Sequence, residues 1–207
     1  MPAARNSIGG ISTNAQYPTS RPGSSKPATP APSTTSNSSL ILRKQLLDLQ
    51  KNPVDGFSAG LVDDDNMLEW QIVIMGPADT LYEGAILKAR LIFPQEFPLL
   101  PPRMVFDSEM WHPNVYDKGD KKGEVCVSIL HAPGDDEWGY EEAGERWLPV
   151  HTVESVLISV ISLLSQDVPD LNSPANVDAA KEVREDFPSY KKKVKRLARR
   201  SAEEAYD

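Results

Sequence analysis

The sequence contains a single cysteine, Cys126, in 207 residues. One cysteine excludes an internal disulfide framework and any cysteine-rich zinc cluster, so its thiol has either a buried apolar role or a reactive one. The chain also lacks a run of about 20 apolar residues, the length that spans a bilayer. Its N-terminus lacks the apolar core of a secretory signal. These absences predict an intracellular protein that does not insert directly into a membrane.

An excess of positive charge is absent as well. The chain has 22 Lys and Arg residues against 30 Asp and Glu residues, a formal net charge of −8. Nucleic-acid-binding proteins gain most of their affinity by neutralising phosphates with Lys and Arg. The acidic balance therefore argues against a nucleic-acid binder.

Acidic residues are missing altogether from residues 1–39, where Ser, Pro, Thr, Asn and Gly make up 26 of the 39 positions. Such a segment cannot bury enough apolar surface to offset the entropy of ordering it, which predicts a disordered tail. A mitochondrial targeting signal is the alternative, but six prolines and only two arginines disfavour its amphipathic helix. Residues 40–207 are then predicted to form one domain.

Hydrophobic periodicity within that domain predicts an α+β fold. Ser38 and Ser39 are candidate N-caps for a first helix over residues 40–51. Strands follow by alternation, and the helices after them begin at the candidate caps Thr152 and Asn176 and at Pro188. The predicted strands are 68–75, 85–93 and 103–106, and the predicted later helices are 153–165, 177–186 and one from 188 onward. The basic run 191–200 is predicted to be a solvated helix face.

A loop with four prolines in nine residues, 94–102, lies between the last two strands. Proline fixes the backbone, so this loop presents Phe97, Leu99 and Leu100 at set angles. From the residues alone, these side chains either pack on their own domain or dock a partner.

The triplet His112-Pro113-Asn114 precedes Cys126 by twelve residues, measured from Asn114, with the turn-forming stretch 117–123 between them. This spacing lets the chain double back and bring an amide beside the thiol. A protease would need a histidine base, for which His112, His131 and His151 are candidates, although no protease signature surrounds the cysteine. An acyl transferase that works by thioester exchange needs an oxyanion donor instead, and Asn114 is suitable.

Several motifs resemble those of ubiquitin-conjugating enzymes in both order and spacing. They are Tyr82-Glu83-Gly84, the loop ending Pro101-Pro102, His112-Pro113-Asn114, Cys126, and the run from Trp147 to Thr152. The likeness covers about residues 40–205. It implies a four-stranded antiparallel sheet flanked by four helices, with no metal or small cofactor, because the activating enzyme consumes the ATP.

The resemblance also implies roles for the site. Cys126 would accept ubiquitin from an activating enzyme as a thioester and pass it to a lysine on a protein substrate or on ubiquitin. Asn114 would stabilise the oxyanion, while His112 and Pro113 would hold the turn. The family's contact surface for the activating enzyme and for a ligase, expected to be of the RING type, falls here on Lys44, Phe97, Leu99, Leu148, Pro149 and Val150.

An acidic insertion of about residues 131–146 separates Cys126 from Trp147. It carries six carboxylates, Asp135, Asp136, Glu137, Glu141, Glu142 and Glu145. An insertion of this kind resembles the G-type and Cdc34-like subgroup, whose members build chains for proteasomal degradation. We expect it to form a lid over the thioester with His131 at its base, disfavouring the thiolate and attracting an acceptor lysine; a solvated loop without catalytic effect is the alternative.

The loop after the central helix lacks the Pro-Asn pair common in the family, so the residue that orients the acceptor lysine is assigned to Asp170, with Asn172 as the substitute. Two other classes stay open: an inactive module of the same fold that binds ubiquitin or a ligase, and transfer of a ubiquitin-like modifier. The expected location is the cytoplasm. The nucleus, or the endoplasmic reticulum surface through a partner, are alternatives.

Overall fold

The computed structural model describes residues 34–134, 141–142 and 144–205. All of them belong to one compact unit, Pro32–Asp207. The predicted disordered tail falls mainly on residues 1–33, which lie outside the described residues. No helix in the described part of the chain is both long enough and apolar enough to cross a membrane.

Four antiparallel strands form one sheet in sequence order, as predicted. The strands are β1 (Phe57–Leu61), β2 (Glu69–Met75), β3 (Ile86–Ile92) and β4 (Arg103–Phe106). Trp70 pairs with Leu91 and Ile74 with Leu87 across β2 and β3. All four of these side chains are buried, because alternate residues of a strand point to the same face and this face packs on the helices.

The sequence pattern did not predict β1. Its residues, Phe-Ser-Ala-Gly-Leu, combine two weak strand formers with a glycine and give no clear alternation. The strand forms because β2 offers it a partner, with Phe57 opposite Ile74 and Leu61 opposite Trp70. Pairing with an ordered neighbour has outweighed local propensity here.

Four helices flank the sheet: α1 (Thr34–Lys51), α2 (Val153–Leu164), α3 (Val177–Glu185) and α4 (Phe187–Glu203). Two predicted caps are confirmed. Thr152 accepts a hydrogen bond from the backbone N–H of Ser155, whose hydroxyl in turn accepts from the Thr152 N–H. Asn176 accepts from the Ala179 N–H. The capped helix α2 supplies six buried side chains to the core.

The first helix begins at Thr34, six residues before the predicted start, so it includes the end of the segment expected to be disordered. The prediction took Ser38 and Ser39 as candidate caps, but both lie inside the helix, and Ser38 is 1 % exposed. Its hydroxyl donates to the carbonyl oxygen of Phe97 at 2.6 Å and lies 2.8 Å from that of Gln95. This contact with a loop distant in the sequence explains why the helix begins earlier than predicted, because the local sequence pattern does not reveal it.

The proline-rich loop packs on its own domain through Phe97, which is 3 % exposed. Its ring contacts Phe93 edge-on at a centroid distance of 5.2 Å and Trp147 at 5.8 Å. The expectation that Phe97 contacts partners is therefore wrong, because an aromatic side chain of this size belongs to the core when two other rings enclose it. Leu99, by contrast, is 65 % exposed.

Replacing Ser38 by alanine should lower the free energy of unfolding by about 1–3 kcal/mol, because the buried Phe97 carbonyl loses its hydroxyl donor. The matched control is Ser39→Ala, which makes the same change in helix propensity at a neighbouring, partly exposed position. Urea unfolding of both variants measures the difference. Equal midpoints for the two variants would show that the Ser38 anchor contributes nothing.

Candidate active site

The catalytic candidates are joined by backbone pairing. The Cys126 N–H donates to the Asn114 carbonyl at 2.8 Å, and Val115 and Val125 form an antiparallel bridge. The chain between them folds back as a hairpin, as the spacing predicted. The backbone alone therefore places Asn114, which carries the amide, next to Cys126, which carries the thiol.

His112 holds the turn before Asn114. Its Nδ1 accepts a hydrogen bond of 2.9 Å from the Asn114 N–H, and the side chain is 1 % exposed. Burial lowers the pKa of His112 to about 4, so the imidazole is neutral at physiological pH, with its proton on Nε2. The adjoining Pro113 carbonyl accepts from the Asn176 N–H at 2.8 Å, which ties the turn to α3.

A cleft of about 510 Å³ opens over the thiol. Asn114 forms part of its wall and is 8 % exposed, while Cys126 is partly buried. Asp170 and Asn172 from the loop after α2 line the same cleft, as does His131. The structure therefore brings five of the sequence-predicted site residues together around one space.

His131 lies against the thiol. Its Nε2 is 3.3 Å from Cys126 Sγ, and its Nδ1 is 2.7 Å from Glu141 Oε1. The hydrogen bond to the sulfur is the main cause that raises the pKa of His131. Burial lowers this pKa and the contact with Glu141 raises it further, to about 9 in all. Near neutral pH the ring is therefore an imidazolium, with one nitrogen facing the sulfur and the other donating to Glu141.

Glu141 is held in turn by Arg146, whose Nε donates to Glu141 Oε2 at 2.9 Å. Burial opposes ionisation of Glu141, but hydrogen bonds from His131, Ser128 and Arg146 outweigh it and lower the pKa of this carboxyl. The expectation that the carboxylates of the insertion simply repel the thiolate is therefore incomplete. At Glu141, the His131 ring lies between the carboxylate and the sulfur. Asp135, Asp136 and Glu137 lie outside the described residues.

Hydrogen bonds of Trp147 join the two ends of the insertion. The Trp147 N–H donates to the His131 carbonyl at 3.0 Å, and the Trp147 indole N–H donates to the Pro98 carbonyl at 2.8 Å. One residue therefore connects the active-site segment to the proline-rich loop. The lid expected over the thioester falls partly on residues 135–140 and 143, outside the described part.

Tyr116 is a site residue that the sequence reasoning missed. It lines the cleft, and burial, followed by the neighbouring Cys126 side chain, raises its pKa above the ordinary value. The available signal was its spacing: in an extended segment, residues two apart share a face, so Tyr116 follows Asn114 toward the thiol.

Asp170 and Asn172 belong to a turn that fixes them relative to each other. Asp170 Oδ1 accepts from the Asn172 N–H at 2.9 Å, and Gln166 Oε1 accepts from the Asp170 N–H at 3.3 Å. Both side chains are exposed at the cleft wall. A carboxylate and an amide thus face the space through which an amine would approach.

The predicted partner surface is exposed except for Phe97. Three segments meet there, because the Gln45 side chain of α1 accepts from the Val153 N–H at 2.8 Å and Trp147 contacts the proline-rich loop. Val150 is 81 % exposed and Leu148 is 39 % exposed. The exposed members of the predicted set are Lys44, Leu99, Leu148, Pro149 and Val150.

A thiol that contacts a histidine, which in turn contacts a carboxylate, is an arrangement that proteases and acyl transferases share. Comparison with known proteins separates the two. The family model described as ubiquitin-conjugating enzyme matches residues 41–198. That range contains both the hairpin and the insertion.

The chain is 60 % identical over 169 residues to ubiquitin-conjugating enzyme E2 15 of Schizosaccharomyces pombe, covering 82 % of this chain and 98 % of that protein. It is 46 % identical over 160 residues to human ubiquitin-conjugating enzyme E2 G2, covering 77 % and 93 % respectively. The structure of human ubiquitin-conjugating enzyme E2 G1 superposes with a TM-score of 0.54 at 55 % identity, covering 62 % of this chain and 95 % of that one. The two G-type relatives agree with the subgroup that the insertion indicated. Because the matched region holds both the thiol and the amide of the cleft, the chain belongs to the ubiquitin-conjugating enzymes.

Proposed function

We propose that this enzyme accepts ubiquitin on Cys126 as a thioester from the activating enzyme and transfers it to lysine. The observation that supports this assignment most directly is the 2.8 Å backbone hydrogen bond between Cys126 and Asn114, which sets thiol and amide in one cleft. Thioester exchange needs a nucleophilic sulfur and a donor for the oxyanion. Both are present without any further group.

Asn114 would donate from its side-chain amide to the oxyanion that forms when a lysine attacks the thioester carbonyl. Its backbone is fixed by the His112 ring and by the hairpin, so the side chain extends from a fixed position in the cleft wall before the substrate arrives. A preorganised donor does not have to be reoriented during the reaction, which is the source of its effect. In this proposal the buried, neutral His112 and the adjacent Pro113 hold the turn and do not transfer protons.

His131 would assist the first half of the reaction. An imidazolium that donates to Sγ stabilises the thiolate, which is the form that attacks the incoming thioester. Glu141 keeps the ring oriented through Nδ1. Once the sulfur is acylated it carries no negative charge, so the principal stabilisation of the imidazolium disappears in the loaded enzyme.

The acceptor lysine would enter past Asp170, Asn172 and Tyr116. A carboxylate at the entrance attracts the ammonium group, and the cleft wall orients the amine after it loses a proton. We assign Asp170 the attracting role and Asn172 a hydrogen-bonding role. The hydrogen bond from the Asn172 backbone N–H to the Asp170 carboxylate supports their acting as one wall.

The partners follow from the exposed surface on α1, the proline-rich loop and the loop before α2. We propose that the activating enzyme and a RING-type ligase use this surface in turn, so that loading and discharge alternate. Consistent with the insertion subgroup, the product would be chains that direct substrates to degradation. The proposed site of action is the cytoplasm, or the endoplasmic reticulum surface where a partner recruits the enzyme.

Charging tests the assignment of Cys126. With ubiquitin, activating enzyme, magnesium and ATP, the wild-type protein should form an adduct that thiol reductant removes. Cys126→Ser should form an oxyester that resists reductant, because the ester is less reactive than the thioester. A protein that binds ubiquitin but forms no adduct would instead be an inactive module. An adduct only with a ubiquitin-like modifier would reassign the substrate.

Replacing Asn114 by alanine should slow discharge to free lysine by about 10²–10³, the usual effect of losing one oxyanion donor. Charging of the same variant should stay near the wild-type rate, which controls for folding. Single-turnover discharge of purified thioester measures the change. Equal losses in charging and discharge would assign Asn114 a structural role only.

The pKa of His131, read from the imidazole proton shifts in an NMR titration, should be about 9. Cys126→Ser should lower it most and Glu141→Gln should lower it too, both toward the ordinary 6.5. Because the folded pKa lies above the unfolded one, this pair stabilises the fold fully below about pH 6.5 and the contribution fades as the pH rises through 9. Glu142→Gln, an exposed neighbour, is the control. An unchanged His131 pKa in Glu141→Gln would remove Glu141 from the site.

A further inference from the structure

The helix α4 concentrates positive charge in a chain whose formal net charge is −8. Seven of the 22 Lys and Arg residues fall between residues 191 and 200. Four of these seven are spaced three and four residues apart, so they lie on one face of the helix. This group, called the basic stripe, consists of four exposed residues, Lys192, Lys195, Arg196 and Arg199.

The opposite face of α4 is part of the core. Tyr190, Val194 and Leu197 are buried there, so the basic stripe faces solvent. The helix is capped at its start by the Asp186 carboxylate, which accepts from the Ser189 N–H at 3.1 Å. The stripe is therefore carried by a helix that core packing holds in place.

The cations of α4 that lie off the stripe are engaged within the domain. The Nζ of Lys193 is 3.0 Å from the centre of the Trp111 ring. Arg200 pairs with Glu109 and with Glu204, each at 2.8 Å. Among the residues that the structure describes, by contrast, no member of the basic stripe forms an ion pair.

The stability of α4 does not account for the basic stripe. Like charges three or four residues apart destabilise a helix, and the stripe contains four such pairs. Cations gain from the helix dipole only within the last turn. Because α4 ends at Glu203, Lys192 and Lys195 lie about two turns or more before its end. A group outside the domain is therefore needed to explain their charge.

The basic stripe is separate from the sites described above. None of its residues lines the cleft over Cys126, and none belongs to the predicted partner surface on α1 and the two loops. A molecule bound to the stripe therefore leaves both of these sites free.

The shape of the basic stripe favours a linear anion. From Lys192 to Arg199 the helix rises about 10 Å, at 1.5 Å per residue. An extended peptide advances about 3.3 Å per residue, so about four acidic residues in succession span this length. A flat anionic membrane would also meet the acidic remainder of the chain, and the large apolar side chains of α4 face the core and are not available for insertion.

We propose that the basic stripe of α4 is a docking site for an acidic segment of a partner protein, rich in aspartate and glutamate. Each contact is an exposed ion pair of modest strength, so binding depends on several pairs together and weakens as salt is added. The inference does not depend on the proposed thioester chemistry, because it requires no group of the cleft.

The test measures binding of a fluorescent peptide with six consecutive acidic residues to the full-length enzyme, by anisotropy. Binding should saturate and weaken with salt, and a peptide with Asn and Gln in place of the acidic residues should not bind. Lys192→Gln/Lys195→Gln should weaken binding about fivefold, because two ion pairs are lost. The matched control is Lys51→Gln/Lys191→Gln, which removes the same charge off the stripe, where the Lys191 amine lies over the Phe187 ring. The control should change the affinity less than twofold.

Both double variants should fold, because glutamine and lysine have similar helix propensities and the replaced side chains are exposed. The stripe variant should unfold at the same urea concentration as wild type or a higher one, since repulsion within α4 is relieved. A lower midpoint would overturn the proposal and assign the stripe a role in folding.

Equal binding of the acidic and neutral peptides, or equal loss in the two double variants, would also overturn it. So would absence of peptide binding. In that case, binding to phosphatidylserine vesicles or to a DNA oligonucleotide that is lost only in Lys192→Gln/Lys195→Gln would reassign the stripe to a membrane or to nucleic acid. Ubiquitin charging of Cys126 is measured separately, so its failure would overturn the proposed function and leave this inference standing.

Discussion

The antiparallel pairing of residues 114–116 with 124–126 is the constraint on which the site depends. Backbone hydrogen bonds from Cys126 to Asn114 and from Tyr116 to Glu124 set the spacing of these segments before any side chain is considered. Side chains two apart then face the same way, which places Asn114 and Tyr116 at the thiol. The cleft walls from the loop after α2 and from the insertion are added around this pair. The chemistry is thus built on main-chain geometry.

The charged groups at the site contact one another in a row, and their charges alternate in sign. Arg146 holds Glu141, Glu141 holds His131, and His131 contacts the sulfur. Each of these partly buried charges has a partner of opposite sign, without which its desolvation would be costly. An acidic insertion next to a nucleophilic sulfur is therefore compatible with catalysis, since the nearest carboxylate acts on the thiol through a cation.

The strongly periodic parts of the fold could be predicted from the sequence: β2, β3, α2 and the caps Thr152 and Asn176 all carry local signals. The failures occurred where distant contacts decide the outcome. Ser38 resembles an N-cap but anchors a loop 59 residues away, and Phe97 resembles an exposed anchor but lies between two rings. In the site, Cys126 and Asn114 could be identified from motif and spacing. The link from His131 to Glu141 could not, because it spans an insertion whose path no periodicity describes.

Trp147 has a consequence for the length of the insertion. Its N–H bonds to the His131 carbonyl and its indole to the Pro98 carbonyl, so the two ends of the segment between residues 131 and 147 are fastened to the core and to each other. The entropy lost in closing such a loop grows only with the logarithm of its length, about 0.6 kcal/mol for each doubling. Residues can therefore be added to or removed from the middle of the insertion at little thermodynamic cost to the domain. The length of the acidic loop can therefore change during evolution with little effect on the stability of the enzyme that carries it.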